Sequence, residues 1–210
     1  MLTQIAEHKL ELLPEKAIWW KERQLLMLAD LHLGKANHFR KAGVPLPHAP
    51  NQTNLEKLIT LLQVWSPDRV MFLGDLFHSH YNSEWESFGQ VLSNFPQMKF
   101  ELIQGNHDIM SDYQYEKINL KVHKTPLAVE NFILSHEPLE DFTGYNLAGH
   151  IHPGVRMRGR GRQSLRLPCF FFGKSQGLLP AFGALTGTHP LKPRKEDQVF
   201  VITEGKIIKV

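Results

Sequence analysis

Five short apolar runs in this chain stop abruptly at aspartate, histidine or asparagine. Residues 24–29 run into Asp30-Leu31-His32, residues 69–73 into Gly74-Asp75-Leu76-Phe77-His78, and residues 99–103 into Gly105-Asn106-His107-Asp108. Residues 127–134 lead to Ser135-His136, and residues 145–148 to Gly149-His150-Ile151-His152. Such endings constrain the fold strongly, because the carboxyl ends of strands in an open α/β sheet face the ligand crevice. The members of the pairs Asp30/His32 and His150/His152 stand two apart, which in extended backbone sends both side chains to one side. Glycine ahead of Asp75, Asn106 and His150 permits a tight exit from each strand.

Between these runs the pattern is helical. Residues 51–65 carry Leu55, Leu58, Ile59 and Leu62 at helical spacing, with Asn51 or Thr53 as caps and Pro67 beyond the end. Residues 83–95 read as a second helix, opened by a capping box of Ser83 with Glu86 and stopped by Pro96. Strand–helix–strand–helix–strand is the order of a parallel α/β unit. Beyond about residue 120, short strands and turns take over. A hairpin is expected from residues 155–157 and 165–172 across Gly159-Arg160-Gly161, and a last pair from 198–203 and 206–210 across Glu204-Gly205. This half should form another sheet against the first, with Phe170-Phe171-Phe172 in its core.

The donor set defines the chemistry. Asp30, His32, Asp75, Asn106, His136, His150 and His152 offer oxygen and nitrogen, with no thiolate among them. That set suits two divalent cations such as Mn²⁺, Fe²⁺ or Zn²⁺ and excludes a structural cysteine-rich zinc site. With Asp75 shared, each cation has four protein ligands and keeps open positions. The summed charge stays positive, as a centre that attracts an anionic phosphorus requires.

Composition narrows the setting. With 42% apolar and 21% charged residues over 210 positions, the chain has ordinary globular usage, which excludes disordered and fibrous classes. The single cysteine, Cys169, excludes an internal disulfide framework and fits a reducing compartment. The longest apolar run, residues 25–29, is far short of the ~18 a membrane span needs. Glu7, Glu11 and Glu15 occupy the stretch where a signal peptide would be apolar, so a cytoplasmic protein is expected. Charge is uneven: residues 1–150 hold 13 Lys and Arg against 18 Asp and Glu, whereas residues 151–210 hold 11 against 3. A basic second part fits either a solvated surface or a phosphate-bearing partner.

The ordered motifs from Asp30 to His152 resemble those of the calcineurin-like metallophosphoesterase superfamily. The resemblance implies an α/β fold, a four-layer α-β-β-α sandwich of two packed mixed sheets flanked by helices, as one domain over residues 1–210. It implies one metal on Asp30, His32, Asp75 and His152, and another on Asp75, Asn106, His136 and His150. A narrower likeness lies in residues 29–35, 39–47, 135–138, 166–170 and 179–183. These segments are similar to the ligase-associated DNA-damage-response metallophosphoesterases, endonucleases or phosphodiesterases found alongside a DNA ligase, a helicase and a nuclease. The turn Thr186-Gly187-Thr188-His189 is less glycine-rich than that pattern.

Roles follow from the resemblance. His107 would bind a phosphate oxygen and protonate the leaving oxygen, or else orient a ligand. Asp108 would hold His107 or cap the turn. His78 would adjust the substrate near the metals or serve structurally. Lys35, Arg40 and Lys41 follow the first ligand pair and suit a phosphate. Arg156, Arg158, Arg160, Arg162 and Arg166 lie on the hairpin after His152, where they suit a nucleic-acid backbone or guard a sheet edge. His8, His38, His48, His80, His123 and His189 have no motif context. The expected function is a two-metal phosphodiesterase or endonuclease acting on single-stranded or damaged DNA in repair, most suited to Mn²⁺. The alternatives are a phosphodiesterase or phosphatase for a small substrate such as a cyclic nucleotide, and a non-catalytic protein-binding scaffold. Oligomeric state stays open.

Overall fold

The computed structural model describes residues 1–35, 49–78, 81–159 and 164–210, with the side chains of 49–52 excepted. Arg40, Lys41, Arg160 and Arg162, together with His38, His48 and His80, lie outside the described residues.

The first sheet contains seven strands in sequence order. They are β1 (Leu2–Ile5), β2 (His8–Leu13), β3 (Ala17–Trp20), β4 (Leu25–Leu28), β5 (Arg69–Leu73), β6 (Lys99–Ile103) and β7 (Leu120–His123). β1 to β4 pair antiparallel and β4 to β7 parallel. The parallel half needs crossovers, and the helices α1 (Ala49–Trp65), α2 (Ser83–Ser93) and α3 (Asp112–Lys117) supply the segments between its strands. α1 begins at Ala49, ahead of both expected caps. α2 is capped by Asn82, whose side chain accepts from the amides of Glu84 and Trp85 at 2.9 and 3.4 Å, so the expected Ser83 cap is displaced by one residue.

The second sheet is built from β8 (Leu127–Val129), β9 (Phe132–Ser135), β10 (Tyr145–Ala148), β11 (Pro153–Arg158), β12 (Ser164–Phe172), β13 (Gln176–Leu178), β14 (His189–Pro190), β15 (Gln198–Thr203) and β16 (Lys206–Lys209). It is mixed: β9, β10 and β13 run parallel, and β11 pairs antiparallel with β12 in the expected hairpin. The single run expected over residues 127–134 is instead two strands, broken at Glu130, whose φ is 55°.

Alternation within the strands sends side chains to two cores. Between the sheets lie Leu25, Met27, Met71, Leu73 and Ile103 from the first sheet against Phe132, Leu134, Leu147, Phe170, Phe172 and Phe200 from the second. On the outer face of the first sheet, Leu26, Leu28, Val70, Phe72 and Leu102 meet Leu58, Leu61 and Leu62 of α1 and Trp85 and Phe88 of α2. The outer face of the second sheet carries a smaller cluster of Val155, Cys169, Val199 and Val201. Burial there pushes the Cys169 thiol up to about 12, which keeps it unreactive. Two mixed sheets joined through a shared core are the α/β architecture the sequence implied. Among the described residues no helix is long and apolar enough to cross a membrane.

Candidate metal centre

Packing the two sheets face to face brings the ends of β4, β5, β6, β9 and β10 to one place, with all seven expected ligands on the loops that leave them. The backbone route differs from the extended one expected for the spaced pairs. Asp30, His32, Asp75, His150 and His152 all have positive φ, at 54, 46, 48, 64 and 53°. Left-handed backbone at five ligand positions is costly for residues with a Cβ, and a cluster of such residues marks a functional site. Of the three glycines, Gly74 turns the chain at a φ of 77°, whereas Gly105 and Gly149 act by close approach. A Cβ on Gly105 would stand 2.5 Å from Asp75 Oδ1, and one on Gly149 2.7 Å from Asp30 Oδ2.

Two triads result. Asp30, His32 and His152 form one and Asp75, His136 and His150 the other, each with ligand atoms within 4.8 Å of one another. In the first, His32 Nε2 is 3.4 Å from His152 Nε2, which is 3.5 Å from Asp30 Oδ1. In the second, His136 Nε2 is 3.1 Å from His150 Nδ1 and 3.4 Å from Asp75 Oδ1. Asp75 faces both triads, because its other oxygen, Oδ2, is 3.6 Å from His32 Nε2.

The ligands are held from behind. His136 Nδ1 donates to the Leu73 carbonyl at 3.0 Å, which fixes the tautomer and leaves Nε2 with its lone pair toward the centre. The His150 amide donates to both oxygens of Asp30, at 3.1 and 3.0 Å. Burial, then the charges of Lys35, His152, His78 and His107, pushes the His32 imidazole down to about 2, so it is neutral and able to bind a cation. Each triad thus gathers two imidazole nitrogens and a carboxylate oxygen within 4.8 Å of one another. The donor set of imidazole, carboxylate and amide therefore fits two divalent cations of the Mn²⁺, Fe²⁺, Zn²⁺ class.

Asn106 stands exposed on the loop after β6, and its Nδ2 donates to Glu137 Oε1 at 2.9 Å. Sequence reasoning assigned Glu137 no role; its signals there are adjacency to His136 and its place in the segment 135–138. His107 is half-exposed, its Nε2 4.0 Å from Asp75 Oδ2 and its ring 5.4 Å from that of His32 and 4.1 Å from that of His78. His78 Nδ1 lies 3.3 Å from His32 Nδ1, so His78 sits against both a candidate ligand and the candidate acid.

Of the two roles open to Asp108, the geometry is that of a turn cap. Its carboxyl is buried and accepts from the amides of Leu76 and Phe77 at 2.9 and 3.1 Å and of Gly105 at 2.9 Å, tying the β5 and β6 loops together. All three of these hydrogen bonds come from backbone amides. Burial raises its pKa to about 7, against the bonds from Gly105 and Phe77.

Lys35 follows the first ligand pair and is partly buried; desolvation lowers its pKa while Asp75 and Asp30 oppose that shift. Arg156 and Arg158 are exposed on β11, and Arg156 pairs directly across the hairpin with the exposed Arg166. Phe170 and Phe172 are core residues, as expected. His123 is engaged elsewhere, 2.6 Å from Glu101, and His8 packs against Trp20 and Phe132.

The comparisons with known proteins agree with this geometry. Residues 23–175 match the family described as calcineurin-like phosphoesterase. No curated protein matches the sequence significantly. Among solved structures, the nuclease MPE of Pseudomonas putida is 30% identical, with a TM-score of 0.86, over 100% of this chain and 99% of its own. A protein of unknown function from Aquifex aeolicus is 18% identical, with a TM-score of 0.46, over 61% of this chain and 78% of its own. The E. coli phosphoesterase Yfce is 13% identical, with a TM-score of 0.45, over 89% and 97%. With two adjacent ligand triads at the strand ends and the family match spanning all of them, the chain belongs to the calcineurin-like phosphoesterase family and is a metallophosphoesterase.

Proposed function

We propose that this metallophosphoesterase is a phosphodiesterase that cleaves DNA, single-stranded or at damaged ends, using two divalent cations, most suitably Mn²⁺. The position of Asp75 carries the two-cation part of this reading: one carboxylate oxygen lies near a histidine of each triad, so the residue could serve both sites. Asp30, His32 and His152 would complete one site, and Asn106, His136 and His150 the other. When bound, the cations supply Lewis acidity that makes a water acidic and offsets the charge developing on phosphorus.

The protein's own groups divide the remaining work. His107, half-exposed beside Asp75, binds a phosphate oxygen and delivers a proton to the leaving oxygen. His78 orients the substrate or His107, against whose ring it packs. Lys35 holds a phosphate near the first triad, with Arg40 and Lys41 beyond it in sequence. Arg156, Arg158 and Arg166 offer planar donors to the backbone of a longer substrate, with Arg160 and Arg162 between them in sequence. Similarity over the full chain to a nuclease at 30% identity supports nucleic acid as the substrate class. A DNA-repair setting in a cytoplasmic compartment, beside a ligase, a helicase and a nuclease, is supported by the motif resemblance and the single cysteine.

The test is a substrate panel on chelated, Mn²⁺-reloaded protein: bis-p-nitrophenyl phosphate, p-nitrophenyl phosphate, and single-stranded, nicked and hairpin DNA. Turnover of the diester and of DNA is expected. Diester turnover without DNA cleavage at any metal would overturn the nucleic-acid reading in favour of a small substrate, and no turnover of any of them would favour a binding scaffold.

A further inference from the structure

Asn106 is the one candidate ligand whose donor atom is ambiguous. Its amide carries an oxygen that a divalent cation binds and a nitrogen that it does not, and a half-turn of the terminal bond exchanges them. The side chain is exposed, so packing does not select between the two orientations. Glu137 does. A carboxylate only accepts hydrogen bonds, so the 2.9 Å approach to Oε1 retains the Asn106 nitrogen and leaves the amide oxygen as the atom available to a cation. Asn106 itself sits between two residues that touch Asp75. A Cβ on Gly105 would lie 2.5 Å from Asp75 Oδ1, and the His107 amide is 3.0 Å from the same atom.

The backbone of Glu137 is fixed in turn by a buried network. Asn146 of β10 is 0% exposed and makes all four of its side-chain bonds. It donates to the Ile133 carbonyl and to Ser135 Oγ, both at 2.8 Å, and accepts from the Leu139 amide at 3.1 Å and Gln176 Nε2 at 3.0 Å. Ser135 Oγ then donates to the Glu137 carbonyl at 2.6 Å. The backbone of the turn that presents His136 and Glu137 is therefore anchored, which places the base of the Glu137 side chain beside Asn106.

We propose that Glu137 is a positioning residue: by orienting the Asn106 amide, it sets the affinity of the cation site formed with Asp75, His136 and His150. This rests on the reading of Asn106 as a ligand. It distinguishes Glu137 from a carboxylate that merely adds negative charge near the centre, because orientation needs an acceptor and not a charge.

The test is isothermal titration of the metal-free full chain with Mn²⁺ alone. Wild type is expected to take up two ions. In E137A one of the two affinities should weaken by about 10- to 100-fold, as is typical when a partner of a ligand is removed, while the other holds. E137Q keeps an acceptor and should restore binding, whereas E137K offers only donors and should bind as weakly as E137A. Unchanged affinities in E137A overturn the proposal. So does E137Q as weak as E137A, which would make the effect one of charge. Wild type that binds fewer than two ions would defeat the two-cation reading itself, a result distinct from either of these.

Discussion

The backbone amide of His107 donates to Asp75 Oδ1 at 3.0 Å, and the ring of the same histidine places Nε2 4.0 Å from Asp75 Oδ2. One residue thus braces the carboxylate shared by the triads and carries the candidate acid. The two functions separate cleanly, since the bracing belongs to the main chain and survives a change of side chain to any residue but proline.

Asp75→Asn removes one anionic oxygen from between the triads. Metal content should fall below two ions per chain by elemental analysis. Diester turnover should drop by more than about 100-fold, beyond the loss expected for a partner that only supports a ligand.

His107→Ala leaves the main-chain bond to Asp75 in place, so two Mn²⁺ should still bind in the same titration. Turnover should fall by about 100- to 10,000-fold, the range for losing a positioned proton donor. The loss should be smallest with p-nitrophenyl leaving groups, which depart without a proton, and largest with DNA.

Arg156 and Arg166 are like charges in directly opposed cross-strand positions, an arrangement that destabilises a hairpin unless an anion joins them. Replacing Arg156, Arg158 and Arg166 with glutamine should raise KM for DNA. It should also flatten the salt dependence of binding to single strands by about 0.7 in log–log slope for each phosphate no longer neutralised. Hydrolysis of bis-p-nitrophenyl phosphate should not change. If it falls in parallel, the hairpin supports the site structurally.

Lys57 of α1 donates to the Phe182 carbonyl at 3.0 Å and lies over that residue's ring, 3.6 Å from its centre. Burial, then the nearby Lys16, lowers its pKa from 10.5 to about 7, with Glu15 opposing. Between those values the unfolded chain binds a proton that the folded chain has released, so stability rises with pH through this window. Relative to Lys57→Met, wild type should gain in denaturant midpoint from about pH 7 to pH 10. A difference that is flat with pH would place the charge in solvent.

Much of the first sheet was legible because β5 and β6 are apolar runs closed by Gly-Asp and Gly-Asn, and their observed bounds are those expected. The meander β1 to β3 was not. Its turns use Ala6, Glu7 and Lys16 at φ of 47, 72 and 69°, positions where glycine or asparagine would have announced a reversal. Glu130 hid the break between β8 and β9 in the same way. At the centre, residue types and order were sufficient to pick out the side chains that the fold gathers into two triads, since few residue types can serve a cation. Asp108 was harder: an aspartate beside a histidine reads as its partner, and only the folded loops show three amides converging on it. Glu137 stood in a noted segment, yet neither its contact with Asn106 nor the network around Asn146 could be read, because orientation of an amide leaves no trace in spacing.

The left-handed backbone at Asp30, His32, Asp75, His150 and His152 has a cost that falls on the protein before any ion arrives. Each such residue forgoes about 1 kcal/mol that glycine would not. His152→Gly should therefore melt higher than wild type when both are stripped with chelator, and lower when both are saturated with Mn²⁺. Thermal robustness and cation binding thus make opposite demands on these five positions.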